Sequence, residues 1–388
     1  MSEITRASGS AIQACGNTEV ILLLETFLKE VRANPKIGYG TLILLEKGGE
    51  PHGGYAGDVQ LEARAERAAM SCAEGIRDRV FNRVLPQRDP TVPADYVCYN
   101  VPSGSLSYDF LVWLIDAEMT RVREGAPPPL KVHFWYGRDG KAGIYMPAQQ
   151  QMMDHVVKPS LALLGAVEDP DAVHGRYKNF HQLRDVANGV GAGEPIPRFR
   201  APTPARVAML KWLDIADEDP RIPVTITLRE AAHWTHRNSN YEAWLRFGQY
   251  LRDRGERVIF VRDTAKANEP FHDFEICPQA SISLHMRMAL VEQSRCNLYV
   301  SNGPCTLAYF SDRPSLTFVV AEEEGAIYEA NTPGFWRARN GLDVGEQYPW
   351  SLPDQRLIWQ IDTYENIVAA WESMPMNATR QKMPKTPI

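Results

Sequence analysis

The sequence predicts an α/β protein of two Rossmann-like domains with parallel sheets facing across a cleft. Three observations carry this. Residues 224–320 read as three strand–loop–helix units in succession. Residues 95–135 form a separate strand–helix–strand unit. A glycine- and proline-rich stretch at 187–206 (ANGVGAGEPIPRFRAPTPAR) divides the two halves. Strands that alternate with helices of this length argue a parallel sheet, because parallel neighbours need a long crossover.

The first half, taken as residues 1–200, opens with a polar arm over 1–16 that carries Glu3 and lacks the apolar core of a secretory signal. Apolar residues at helical spacing follow over 19–32 and 63–84, with a buried strand at 40–45 between them. A short strand at 95–100 leads through PSGSLSY (102–108) into an amphipathic helix over 108–123. Three prolines at 127–129 stop that helix, and LKVHFW (130–135) is the next strand. The stretch at 187–206 has no sustained periodicity and reads as a linker. Its GVGAG segment has GxGxG rather than GxGxxG spacing, no strand before it and Pro195 after it, so it is not a dinucleotide fingerprint.

The second half, 201–388, holds strands at 224–228 (VTITL), 257–261 (RVIFV) and 297–301 (NLYVS). The helices between them span 241–254 and 283–295, and a shorter one over 305–310 follows the third strand. After 320 the pattern weakens into an acidic turn at 322–324 and aromatic loops at 347–350 and 357–359. One amphipathic helix covers 363–374, and the tail 375–388 carries proline and lysine and reads as disordered.

Composition narrows the function. A net charge of −6 over 388 residues gives no general attraction to nucleic acid, so any anion site must be local. The six cysteines form no CxxC pair, which excludes zinc-ribbon and thioredoxin readings and suits a reducing cytoplasm. No apolar run reaches the ~18 residues that would suggest a membrane span. The sequence contains no HExxH, P-loop or GxSxG motif. His233 and His236 lack a third ligand in their segment, so no metal site is expected.

The candidate site lies at the carboxyl ends of the second-half strands, where ligands bind in open parallel sheets. Arg229 directly follows the first strand, as a ligand anchor or as a structural partner of an acid such as Glu230. Arg237 and Asn238 lie in the polar loop that follows, and Asn238, Ser239 or Asn240 can also cap the next helix. The turn Ser301, Asn302, Gly303 ends the third strand. Thr306 adds a hydroxyl, and Gly303 permits close backbone approach. Two guanidiniums and a turn with free N–H groups suit a phosphate-bearing ligand. Glu292 is placed to accept from a ribose hydroxyl, or is a surface carboxylate. From the first half, Asp109, His133 and Asp154 are candidate general bases.

The segment 225–318 resembles the C-terminal, donor-binding half of GT-B glycosyltransferases, closest to bacterial fucosyltransferase-like or heptosyltransferase-like layouts. The residues that carry the likeness are ITLRE (226–230) with RNS (237–239), RVIFV (257–261), MALVE (288–292) and NLYVSNGP (297–304). The resemblance implies that Arg229 holds the donor diphosphate and stabilises the leaving group. Arg237 is a second phosphate ligand, and 301–303 assist. It further implies that the last helix crosses back onto the first domain. The fucosyltransferase pattern has paired arginines where this chain has Arg229 followed by Glu230.

The resulting expectation is transfer of a sugar from a nucleotide-diphosphate sugar to a glycan, lipid-linked or protein acceptor. The nucleotide sugar serves as co-substrate, with no other cofactor. No DxD triplet stands at a predicted strand end, in keeping with a metal-independent reaction. Rival readings are a non-catalytic nucleotide- or sugar-binding protein on the same fold and a nucleotide-sugar epimerase. The expected location is the cytoplasm, with peripheral contact at the inner face of the membrane where the acceptor is lipid-linked.

Overall fold

The computed structural model describes residues 94–101, 105–136, 147–170, 176–177, 183–214, 222–232, 235–321 and 332–375. All belong to one compact unit, Arg88–Ile388. The predicted arm, the helices at 19–32 and 63–84, the strand at 40–45 and the acidic turn at 322–324 lie outside the described residues. So does the tail beyond residue 375.

The described residues form two sheets, and among them every strand pair is parallel. The first contains β1 (Tyr96–Asn100), β2 (Lys131–Trp135), β3 (Val167–Glu168) and β4 (Arg176–Tyr177) in the order β3-β2-β1-β4. Helix α1 (Asp109–Arg123) joins β1 to β2 and buries nearly every residue from Phe110 to Ala117. Its aromatics lock it to the strands, with Tyr99 4.7 Å from Phe110 and 4.8 Å from Trp113 between ring centroids. Gly125, at φ +67, turns the chain out of the helix ahead of the three prolines. Next comes α2 (Pro147–Met152), which runs on through a π turn, Met153–Val157.

The expected linker is mostly structured. Helix α3 (Leu183–Gly191) passes through its first glycines, and α4 (Thr203–Leu213) begins before its end. Gly189 lets α3 come close to α1: a Cβ there would stand 2.9 Å from the Met119 methyl, which would have to move aside. The irregular residues between the two helices are pinned. Phe199 is fully buried and its N–H donates to the Phe310 carbonyl at 2.7 Å. Arg198 donates to the carbonyls of Ser311 and Trp350.

The second sheet contains β5 (Val224–Thr227), β6 (Val258–Val261), β7 (Glu275–Ile276), β8 (Cys296–Val300), β9 (Ser315–Phe318) and β10 (Gln355–Ile358). Its order, β10-β9-β8-β5-β6-β7, runs outward in one direction from β5 through β7 and in the other from β8 through β10. This is the 3-2-1-4-5-6 order of doubly wound sheets, and it reverses between β5 and β8. β5, β6 and β8 are buried along their whole length; β6 (VIFV) reads as a continuous apolar run, while Thr225 on β5 donates to Asn297 Oδ1 on β8 at 2.6 Å within the buried sheet.

Helix α5 (Tyr241–Arg252) is capped by Asn240, whose Oδ1 accepts from the Ala243 N–H at 3.2 Å. It buries Ala243, Trp244, Phe247, Gly248 and Leu251, one face at helical spacing. α6 (Pro278–Ile282) turns into α7 (Leu284–Gln293) at Ser283, which caps the latter. α8 (Cys305–Tyr309) is a single short turn after β8. The last described helix, α9 (Tyr364–Glu372), does not cross back to the first sheet. It packs on α5, with Trp371 6.0 Å from Phe247 and Tyr250 bonded to Glu372 at 2.7 Å. Those aromatic contacts bury its apolar face on the second sheet's own layer. Among the described residues no helix is long and apolar enough to cross a membrane.

Candidate functional site

The reversal between β5 and β8 leaves a crevice at the carboxyl ends of both strands, because the connections leaving them pass to opposite faces of the sheet. Arg229 leaves β5 there and is 7% exposed. Its Nη1 donates to Asn238 Oδ1. Asn238 also ties back to both polar groups of Ala231, and Ser239 bonds the Arg229 backbone twice. The polar loop is thus folded around the arginine. Arg237, farther along it, donates to the Ser301 carbonyl at 3.2 Å and so joins the loop after β5 to the end of β8. Arg229 and Arg237 are thus both held at the switch point, where the charge of one acts on the other. Burial first, then the neighbouring Arg237 charge, lowers the Arg229 pKa. Burial also lowers that of Arg237. Both shifts mark a place where an anion would be stabilised.

Glu230 is not the partner of Arg229. Its carboxylate pairs with Arg262 after β6, at 3.0 Å from Nε, and Lys266 approaches at 3.3 Å. Burial acts to raise the Glu230 pKa, but the hydrogen bond and charge of Arg262 outweigh it and hold the group below its ordinary value. The position where a second arginine was expected carries instead a buried ion pair that braces β5 against β6.

The turn after β8 is partly committed to structure. Asn302 Oδ1 accepts from the Cys305 N–H at 3.1 Å, Thr306 N–H donates to the Gly303 carbonyl, and Ser301 N–H belongs to the ladder with Phe318. The expected row of free N–H donors is therefore reduced to those of Asn302 and Gly303, while Thr306 is buried. Gly303 does permit a close approach, but by protein: a Cβ there would lie 2.6 Å from the Tyr108 ring, which comes from the first sheet's side.

Asp109 opens α1 on that same side. Ser105 Oγ donates to its carboxylate at 3.2 Å, and Arg339, in the turn Trp336–Asn340, donates at 2.8 Å. The charges of Asp109 and Arg339 both act on Arg237, so all three groups share one neighbourhood. Arg339 escaped the sequence reading. Its only signal was the closely spaced arginines 337 and 339 in a segment without periodicity.

Three candidates do not join the site. Glu292 lies at the end of α7, just before β8 begins, and thus at the opposite edge of the sheet. Its Oε1 accepts from the Ala201 N–H at 3.0 Å, and burial raises its pKa. His133 lies in the middle of β2 opposite Cys98, two residues short of the strand's end, with Nδ1 buried and unpartnered. Asp154 is exposed on the π turn and accepts from Gln150 at 2.7 Å.

The described cysteines, Cys98, Cys277, Cys296 and Cys305, are all buried, and the last three are free thiols. Burial pushes the thiols of Cys277 and Cys305 up to about 11 and that of Cys296 up to about 12, so none of these three is a ready nucleophile. Among the described residues no cluster of three metal-ligating side chains exists. The DPD triplet at 169–171 follows β3, a strand the sequence reading did not foresee, so a DxD sequence does stand at a strand end; Asp171 lies outside the described residues.

No family model matches the chain, and no curated protein does. Among solved structures, a family 9 glycosyl transferase from Veillonella parvula DSM 2008 aligns with 75% of this chain and 94% of its own at 10% identity and a TM-score of 0.39. E. coli ADP-heptose LPS heptosyltransferase II aligns with 78% of this chain and 81% of its own, at 11% identity and 0.36. A UDP-GlcNAc 2-epimerase from Methanocaldococcus jannaschii aligns with 80% and 84%, at 14% identity and 0.27. Superpositions of this quality carry no argument for the reaction. The fold stands on this chain's own strand order.

Proposed function

We propose that the protein is a glycosyltransferase of the GT-B layout, moving a sugar from a nucleotide-diphosphate sugar to an acceptor hydroxyl. The observation that carries the reading is that Arg229 and Arg237 are both held at the switch point of a 3-2-1-4-5-6 sheet, with Asp109 arriving from the other sheet. The division proposed is residues 1–200 for the acceptor and 201–388 for the donor, and the acceptor is a glycan, a lipid-linked glycan or a protein. In the reaction the acceptor oxygen bonds the anomeric carbon as the bond from that carbon to the diphosphate oxygen breaks. The acceptor proton passes to Asp109, the only candidate base of the three gathered near the arginines. The leaving diphosphate gains negative charge, and preorganised guanidiniums in a partly buried site stabilise it. The same donors perform the charge neutralisation that a divalent ion would otherwise supply, so the reading is metal-independent.

The test is a panel of GDP-, UDP-, ADP- and CMP-sugars incubated with the full chain and candidate acceptors, with and without EDTA, followed for nucleotide release and sugar transfer. Release from one donor that survives EDTA supports the reading. Tight donor binding with no turnover against any acceptor would replace it with a nucleotide-sugar-binding protein. Interconversion of the donor sugar without nucleotide release would replace it with an epimerase.

A further inference from the structure

A further guanidinium lies at the same edge of the second sheet. Arg287 stands one turn into α7 and is 6% exposed. Its Nε donates to the Ala280 carbonyl at 2.6 Å, but its Nη1 is buried with no hydrogen-bond partner. Among the described residues no carboxylate forms an ion pair with it. Ser281, in α6 and 7% exposed, also has a buried hydroxyl without a partner. An unpartnered guanidinium nitrogen and an unpartnered hydroxyl thus occupy one corner, between α6 and α7.

That corner connects to the switch point. The Ser281 carbonyl accepts from Thr264 Oγ1 at 3.0 Å. The neighbour of Thr264, Asp263, accepts from the Glu230 N–H at 2.7 Å, and Glu230 adjoins Arg229. The path crosses the carboxyl ends of β5 and β6. From the other side the Tyr108 ring lies on Gly303. The charges of Arg287 and Asp263 both act on the buried Tyr108 phenol, so the three groups share one neighbourhood. A buried guanidinium without a counter-charge is unfavourable. Guanidinium and hydroxyl donors together are what phosphate oxygens accept.

We propose that Arg287 and Ser281 form a second phosphate subsite beside that of Arg229 and Arg237, covered by Tyr108, so that the crevice selects a diphosphate over a monophosphate. This rests on the reading of the switch point as a phosphate site. A single phosphate needs only the first pair of arginines. A second phosphate gains affinity only from the α6–α7 corner.

The experiment is calorimetric titration of the full chain with inorganic phosphate and with pyrophosphate, for wild type, Arg287→Met, Ser281→Ala and Arg229→Ala. Wild type is expected to bind pyrophosphate at least about tenfold tighter than phosphate, the loss of one charge-assisted contact being worth that much. Arg287→Met should bring the ratio near one with phosphate affinity unchanged, Ser281→Ala should narrow it, and Arg229→Ala should weaken both anions. A pyrophosphate preference that persists in folded Arg287→Met overturns the second subsite and leaves the Arg229 site standing. If Arg287→Met does not fold, an unchanged ratio in Ser281→Ala overturns it equally. Failure of wild type to bind either anion overturns the phosphate reading of the switch point, and the subsite with it.

Discussion

Asp109 and Arg339 form an ion pair at 2.8 Å although 230 residues separate them in the chain. The pair joins the start of α1 to the turn Trp336–Asn340, which packs against α3 and lies near Arg237. Both side chains remain partly exposed, so its contribution to stability is small, on the order of 1 kcal/mol or less. Its consequence is positional: it orients a carboxylate toward the arginines.

If Asp109 accepts the acceptor's proton, Asp109→Asn should leave donor binding unchanged and slow transfer by about 10²–10⁴-fold. Arg339 keeps a hydrogen-bond acceptor in that variant, so the geometry survives. The measurement is kcat beside a donor Kd. Transfer at the wild-type rate would remove Asp109 from the chemistry.

Arg229→Ala should weaken nucleoside diphosphate binding by about 1.5–3 kcal/mol, the range for a hydrogen bond to a charged group. The loop should keep its shape, because Asn238 still bonds Ala231 and Ser239 still bonds the backbone of residue 229. Titration together with circular dichroism checks this. Loss of folded signal would mean that the arginine's task is structural.

Removing one side of the buried pair between Glu230 and Arg262 strands a charge. Glu230→Gln should destabilise the fold by about 3 kcal/mol at neutral pH in urea unfolding. The Glu230 pKa is lower in the folded state than its ordinary 4.5, so the unfolded chain binds the proton more readily. The pair's contribution is therefore complete above about pH 4.5 and is lost as the pH falls through the folded value. The gap between wild type and variant should close under acid. A gap independent of pH would assign the loss to packing.

Gly303→Ala brings a methyl to 2.6 Å from the Tyr108 ring, closer than atoms tolerate, and one of the two must shift. The expected loss is about 1–3 kcal/mol, as for overpacking elsewhere. Tyr108→Ala should cost stability by itself but make the Gly303→Ala step nearly neutral, a coupling that a double-mutant cycle reads directly. Additive losses would show that the ring does not rest on the glycine.

The central strands β5, β6 and β8 and helices α1, α5 and α9 were legible because each carries a local signal: a short stretch rich in β-branched and apolar residues in the strands, a long apolar stretch stopped by prolines in α1, and one buried face behind a capping residue in α5 and α9. The two-residue strands β3, β4 and β7 are too short to show alternation. β10 reads QRLI and joins the sheet only because β9 offers it a partner. Segment 194–202 looks like a linker by composition, yet Phe199 and Arg198 bolt it in place through contacts more than 100 residues away.

By itself the sequence determined that the chain forms parallel α/β layers and that Arg229, Arg237 and 301–303 stand at strand ends, since periodicity and turn residues are local properties. Only the tertiary structure decided the strand order that brings β5 beside β8, and with it which strand ends share a crevice. It alone turned Glu292 to the far edge, assigned Glu230 to Arg262, and brought Asp109, Arg339 and Tyr108 to the arginines. Each of these depends on contacts between residues distant in the chain, for which neither partner's local pattern holds a record.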